Sequence, residues 1–446
     1  MAADNARFVS GARHLLSVIK TTMDKTRTMY KKLQTQTSLA WTQSSLGPGS
    51  PIFPLEPVIN SGCPITSSAE IQYPLEVLYK YDDLDKSIFQ KQTMPTLEDW
   101  APLLPPLAPK AAMGVGGTPL VDISEISPRR LRDRGVFLKD ESRNPTWSHK
   151  DRLNACTVSA AVRSGARAIS VASSGNHGVS AAAHAHRAQL KCIIVTTTDI
   201  NISYRRMMDA YGAYVLFVPR EERWAVMRML AVHEGIHAVS NLTRFHTGHP
   251  WGPEGYKTIA YELWLQLDRM VPAALVVPTG YGELLYGIFK GFRELVELKI
   301  TRSIPQMISV EPTVRGPLHH ALANGLPSME VRPMSTLLNS ISSTVSSYRG
   351  VVAIRESKGQ SLLVSDEEAL TAQRELAWQG LWQEVSSSAA FAALTKFTEV
   401  EQEGPIVVVG TSCGLKGYQQ MNKSHEINPD IQSVVHFLKS EYGFQL

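Results

Sequence analysis

Short apolar runs alternate with amphipathic stretches through most of the chain after Gly135. The runs at 136–138, 168–171, 192–196, 214–218, 274–277, 307–310 and 406–409 have the length and apolar character of strands. Between them, 152–163, 177–185, 221–233, 256–267 and 284–298 carry helical patterns. This alternation predicts an α/β fold, with a mostly parallel sheet covered by helices on both faces. Ligands in such sheets sit beyond the carboxyl ends of the strands. Polar or Gly-rich loops follow three of the predicted strands, at 173–178, 278–282 and 410–414, and the pattern puts all three on one rim. Upstream the grammar differs. Residues 6–33 read as a helix with Phe8, Leu15, Ile19 and Met23 apolar, 47–57 as a Gly/Pro/Ser linker, and 58 to about 85 as a short module.

At 446 residues the chain exceeds one ordinary hydrophobic core, so two domains plus an accessory segment are expected. A formal net charge of +4 with no dense Lys/Arg stripe gives no support for a nucleic-acid partner. Cys63, Cys156, Cys192 and Cys413 are far apart, which argues against a disulfide scaffold or zinc module and fits a reducing, cytoplasmic setting. His319-His320 lack the spacing of two ligands on one helix face, so no metal site is expected. No apolar run approaches the roughly 20 residues that span a bilayer. The basic N-terminus (Arg7, Arg13, Lys20, Lys25, Arg27, Lys31, Lys32) reads either as a helix docking on the protein or as an organellar transit peptide.

Four loops carry chemistry. In Asn144-Pro145-Thr146-Trp147-Ser148-His149-Lys150-Asp151-Arg152, Ser148 reads as a helix N-cap with Lys150 in the first turn. The positive end of a helix dipole favours a neutral amine there, the form that attacks a carbonyl to give an imine. Ser173-Ser174-Gly175-Asn176-His177-Gly178 joins a strand to a helix and offers N–H groups and hydroxyls to a carboxylate. Pro278-Thr279-Gly280-Tyr281-Gly282-Glu283-Leu284 could cradle a phosphate on its N–H groups. Gly410-Thr411-Ser412-Cys413-Gly414-Leu415-Lys416 supplies hydroxyls at the same rim. Trp378, Trp382 and Ser386-Ser387-Ser388 read as packing and a helix cap. A dinucleotide-dependent oxidoreductase is excluded, because no G-x-G-x-x-G opens the first strand–helix unit.

Taken together with Gly116-Gly117-Thr118-Pro119-Leu120, Lys139-Asp140-Glu141, Glu254-Gly255-Tyr256-Lys257-Thr258 and Val364-Ser365-Asp366-Glu367-Glu368, these loops resemble the fold-type II pyridoxal-phosphate enzymes, most closely their threonine synthase-like branch. The resemblance runs from about Pro74 to Lys416. It implies two open, twisted, mostly parallel sheets flanked by helices, plus the N-terminal helical extension. It also implies pyridoxal 5'-phosphate as cofactor, held by Lys150 as a Schiff base, with Lys150 later shuttling the α-proton. Asn176 would hold the pyridine 3-oxygen. Gly280, Tyr281, Gly282, Glu283 and Leu284 would hold the phosphate, and Thr411, with Ser412 as second candidate, would face the pyridine nitrogen. A neutral hydroxyl there moderates the electron sink and suits elimination or replacement at the β or γ carbon. Thr146, Ser148, His149, Ser173, Ser174, Gly175 and His177 would bind the amino-acid substrate. His149 and His177 each have an acid/base reading and a simpler one as pocket lining.

The branch tends to have Asn and Arg at the first and fourth positions of His249-Pro250-Trp251-Gly252, and that Arg helps to bind the substrate phosphate; here Gly252 stands in its place. Arg244 or Arg205 could substitute. Glu283 sets an acid beside the expected phosphate, which is unfavourable unless its side chain points away. The expected activity is therefore a threonine synthase-like lyase, with O-phosphohomoserine as the nearest named substrate. The alternatives are an amino-acid dehydratase, ammonia-lyase or β-replacement synthase, and a catalytically silent pyridoxal-phosphate-binding regulatory protein. The expected domains are an extension and linker at 1–57, a large cofactor domain at 58–150 and 251–446, and a small mobile domain at 151–250. A homodimer is expected, as is common among the relatives.

Overall fold

The computed structural model describes residues 37–90, 95–397, 400, 402–417 and 429–443; the helix expected at 6–33 lies outside them. Thirteen strands are described: β1 (Ala40–Ser45), β2 (Ile52–Pro54), β3 (Leu75–Tyr79), β4 (Leu120–Asp122), β5 (Val136–Asp140), β6 (Ala168–Ala172), β7 (Lys191–Thr196), β8 (Tyr214–Phe217), β9 (Ile236–Ala238), β10 (Ala274–Pro278), β11 (Gln306–Pro312), β12 (Gln360–Val364) and β13 (Ile406–Gly410).

They form three sheets. The largest has the order β12-β11-β10-β13-β5-β4 and is parallel except where β4 pairs antiparallel with β5. The second, β8-β7-β6-β9, is parallel throughout. Both faces of the central strands are covered, which is why β10 and β13 read as unbroken apolar runs and are buried at every position. β13, the last strand in sequence, lies between β10 and β5.

The third sheet is a small antiparallel one, β2-β1-β3. It corrects the linker reading at 47–57: Gly47 to Ser50 turn the chain and β2 returns along β1. Turn composition is the same in a linker and in a hairpin, and only the pairing partner separates them. β4, β9 and β12 also escaped the periodicity, the first two being only three residues long. Trp378, expected in packing, is 80% exposed, and Ser386 to Ser388 lie inside the helix Val385–Ala392 rather than capping it.

Three helices bring the site together. The helix Gly252–Gln266 lies against Lys150–Arg163 so closely that a Cβ at Gly255 would stand 1.9 Å from the Arg152 carbonyl oxygen. No side chain fits there, and the contact sets Tyr256 beside Lys150. The helix Glu283–Glu297 packs along Gly252–Gln266 on its other side. Under this junction lies a buried charge network. Lys139 and Arg152 each bond Glu262 at 2.6 Å, and Arg152 bonds Glu141 at 2.7 Å. Its ions are fully paired, the condition under which charges tolerate burial.

Candidate active site

Lys150 is the first residue of the helix Lys150–Arg163, with His149 as its N-cap. The expected cap, Ser148, is one residue earlier, but its hydroxyl still accepts from the Lys150 N–H at 3.3 Å. Trp147 before it has φ +59°, a left-handed conformation costly for an aromatic residue, and is half exposed. That reversal turns the Trp147 carbonyl toward the last loop, where it accepts from Ser412 Oγ and the Cys413 N–H, both at 3.2 Å. The Asp151 carboxylate secures the loop from the other side. It takes the Thr146 N–H at 2.7 Å and the Thr146 and Ser180 hydroxyls, each at 2.6 Å. One carboxylate thus ties the Lys150 loop to the helix Asn176–Arg187.

Lys150 Nζ donates to the Tyr256 hydroxyl at 2.9 Å. Burial lowers the amine from its ordinary value, and Glu283 partly opposes the shift. Burial likewise pushes His149 well below its usual range, with Lys150 adding to the effect. His149 Nδ1 lies 3.1 Å from the Thr411 carbonyl, which can only accept, so the proton sits on Nδ1. His177 is pushed down to about 3 by burial and by Lys150, and its Nε2 has no partner among the described residues. Both rings are therefore neutral near pH 7.

The rim expectation needs correction. The loops at 278–282 and 410–414 leave neighbouring strands of the six-stranded sheet, but 173–178 leaves β6 of the other sheet. The rims face one another instead, and Asn176 bridges them. Its Oδ1 accepts from Ser412 Oγ at 3.0 Å and Lys416 Nζ at 2.7 Å, and its Nδ2 donates to Glu384 Oε2 at 2.9 Å. Lysine can only donate and carboxylate only accept, so the amide orientation is fixed, with one Nδ2 proton left over. Burial brings Lys416 down to about 8. Ser412 is spent on Trp147 and Asn176, while Thr411 is placed by its N–H donating to Ser387 Oγ at 2.6 Å. Ser173 Oγ accepts from the Gly175 and Gly178 N–H groups at 3.2 and 2.9 Å, and Ser174 faces solvent.

Gly282, at φ +79°, starts the helix Glu283–Glu297 and lies against the helix Tyr348–Glu356, where a Cβ would meet Gly350 Cα at 3.0 Å. First-turn N–H groups have no acceptor within their helix, so the N–H groups of Glu283 and Leu284 at this end are open to an anion. The Glu283 side chain turns off toward residues 246–248, with its Oε1 where a Gly248 side chain would begin. Arg244 and Arg205, considered as replacements for the missing cation at Gly252, pair with Glu330 at 2.9 Å and Asp209 at 2.7 Å.

Tyr256, Lys416, Glu384 and Arg349 belong to this region and were not singled out from the sequence. The first two stood inside noted motifs. Glu384 and Arg349 had no local signal, because they reach the site only through tertiary contact.

A buried lysine amine of lowered basicity, an N–H cradle at a helix start and a fixed amide form a donor set that fits pyridoxal phosphate. The comparisons agree. Relatives include threonine synthases of Methanosarcina acetivorans, 30% identical over 358 residues covering 77% of this chain and 86% of that protein, and of Halalkalibacterium halodurans, 31% identical and covering 76% and 92%. Similar folds are seen in an L-serine ammonia-lyase from Rhizomucor miehei, at TM-score 0.57 and 23% identity, covering 66% of this chain and 93% of that one, and in maize serine racemase, at TM-score 0.57 and 15% identity, covering 73% and 92%. Residues 111–412, well over half of the chain, match the family described as pyridoxal-phosphate dependent enzyme, and the chain belongs to that family.

Proposed function

We propose that this threonine synthase-like enzyme uses pyridoxal 5'-phosphate to eliminate or replace a substituent at the β or γ carbon of a small amino acid, with Lys150 as the residue that holds the cofactor. The observation that carries the assignment is the buried Lys150 amine, its basicity lowered by burial and its Nζ aimed by Tyr256 at 2.9 Å. The cofactor, when bound, supplies a sink for negative charge at the substrate α-carbon.

The protein's own groups do the rest. Gly280 to Leu284 hold the phosphate by N–H groups at the helix start. Asn176 gives its spare Nδ2 proton to the pyridine 3-oxygen, with Lys416 and Glu384 fixing its orientation. Thr411 faces the pyridine nitrogen, since the Ser412 hydroxyl is engaged elsewhere. Released from the cofactor, Lys150 Nζ takes the α-proton and can return it. The substrate carboxylate lies at the start of the helix Asn176–Arg187, between the N–H groups of Ser174, Asn176 and His177 and the Thr146–His149 loop. Residues 151–250 form a small domain that closes on the substrate and excludes water. The enzyme works as a homodimer in the cytoplasm, a reading supported by its unpaired cysteines and by what the resemblance implies. Among the described residues no helix is long and apolar enough to cross a membrane.

O-Phosphohomoserine is the nearest named substrate, but Gly252 and the pairing of Arg244 with Glu330 and of Arg205 with Asp209 favour a relative acting on a different amino acid. The test is direct. Protein supplied with pyridoxal phosphate should absorb in the visible, and borohydride should fix the cofactor to the Lys150 peptide. Phosphate release from O-phosphohomoserine is then compared with ammonia or keto-acid release from serine, threonine and diaminopropionate. A colourless protein with no fixed label would refute the assignment.

A further inference from the structure

Glu283 is a buried carboxylate without a hydrogen-bond donor. Among the described residues the Arg349 guanidinium stands off at 3.9 Å (Nη1) and the His246 ring, held well below its usual value by burial, at 4.0 Å (Nε2), both beyond hydrogen-bond length. Arg349 cannot close that gap freely, because its Nη1 donates to the Thr247 carbonyl and its Nη2 to the Leu75 carbonyl at 2.5 Å. Beside the carboxylate, His246 stacks on Tyr281 of the phosphate loop, with centroids 4.0 Å apart and planes at 12°. His246 Nδ1 is shut off from solvent with no partner among the described residues, and so is His177 Nε2. Two buried ring nitrogens without partners, beside a carboxylate that no donor reaches, mark a place where a ligand can supply the missing bonds.

The position of the cluster says which group. Glu283 starts the helix whose N–H groups face the cofactor phosphate, and its side chain reaches the 246–248 segment, directly before His249-Pro250-Trp251-Gly252. That is the side-chain end of the substrate pocket. Where a cation would meet a phosphoester, Gly252 leaves space that Leu153 occupies, its Cγ 3.1 Å from a would-be Cβ.

We propose that Glu283 and His246 form a distal subsite that binds a hydrogen-bond donor on the substrate side chain, a hydroxyl or an ammonium, and that it rejects a phosphoester. An ionised carboxylate only accepts. A second phosphate dianion here would face Glu283 and the cofactor phosphate, while Arg349, the arginine nearest the carboxylate, gives both terminal nitrogens to carbonyls and has only its Nε without a partner among the described residues. The inference rests on the proposed function, and it names the substrate class of that site.

The test titrates wild-type holoenzyme and records the equilibrium change in cofactor absorbance. The probes are L-homoserine, L-serine, L-2,3-diaminopropionate and L-2,4-diaminobutyrate, set against O-phospho-L-homoserine and O-phospho-L-serine. The expected result is at least tenfold tighter binding of the best hydroxyl or amino compound than of either phosphoester. Glu283→Gln should narrow that ratio by tenfold or more, and His246→Gln should weaken the preferred ligand. Cofactor affinity is measured separately by fluorescence quenching. Tighter binding of a phosphoester by the wild type, or an unchanged ratio in Glu283→Gln, overturns the inference and leaves the proposed function standing. A spectrum that no amino acid moves overturns both. The wild-type comparison decides the matter even if a variant does not fold.

Discussion

Replacing Asp151 with alanine should loosen two loops of the active site at once. Its carboxylate accepts the Thr146 N–H and the Thr146 and Ser180 hydroxyls at 2.6–2.7 Å, with His184 Nε2 at 3.5 Å. Hydrogen bonds to a charged group contribute about 1.5–3 kcal/mol each, but bonds sharing one acceptor do not add. The hydroxyls can turn to other acceptors, whereas the buried Thr146 N–H cannot. Asp151→Ala should therefore lose about 3–5 kcal/mol. Asp151→Asn should lose less, about 1–2 kcal/mol, because its oxygen can take the Thr146 N–H while both hydroxyls rotate to accept from its NH2 group. The assay is urea unfolding of the cofactor-free protein at pH 7, followed by fluorescence and circular dichroism. Acid gives an independent check. Burial raises the Asp151 carboxyl, but the nearby His184 ring and the bonds from Ser180 and Thr146 outweigh it, and the group ends below its ordinary value. Its stabilisation is thus complete above the unfolded value of about 3.9 and fades as pH falls through the folded one. The gap between wild type and Asp151→Asn should shrink over that range. An alanine variant within about 1 kcal/mol of wild type, or a gap indifferent to acid, would refute the clamp, since one lost charge-assisted bond alone exceeds that.

Tyr256→Phe removes the acceptor that aims Lys150, at a cost of about 1 kcal/mol, so kcat should fall roughly fivefold with cofactor content retained; an unchanged kcat and pH profile would dismiss the positioning role. Glu262→Gln leaves Lys139 and Arg152 short of a buried counter-ion and should destabilise the fold by about 3–5 kcal/mol, read as a lower melting temperature. His177 and His237 are held down by burial to about 3 and about 4, so the unfolded chain takes up protons from near pH 6.5 while the folded one does not. Stability should be full above that pH and decline steadily toward pH 4, and a melting temperature flat between pH 7 and 5 would contradict this.

What the sequence conveyed follows from which signals are local. β10 and β13 were legible because burial on both faces writes a continuous apolar run, and the helix start at Lys150 was legible to within a residue because turn residues and a cap-forming serine stand just before it. β4 and β9 were too short to carry a period. The 47–57 segment showed turn chemistry without showing what it paired with. Glu384 and Asn176 meet at 2.9 Å across 208 positions, and nothing near either residue announces the other. The missing cation at Gly252 and the acid at Glu283 stood in the sequence, but where the Glu283 side chain turns is set by tertiary packing.

The central place of β13 has a consequence for how the protein is made. β5 and β10 are synthesised early, yet the strand that separates them emerges about 130 residues after β10. At translation rates of about 5–20 residues per second, the β10 edge waits roughly 7–26 s for this neighbour and the β5 edge about twice as long. The nascent chain cannot complete its cofactor pocket in that interval, and it exposes strand edges prone to wrong pairing. Ribosome-bound fragments ending before Ile406 should therefore associate with chaperones, and removing the segment from Ile406 onward should yield insoluble protein rather than a smaller folded one.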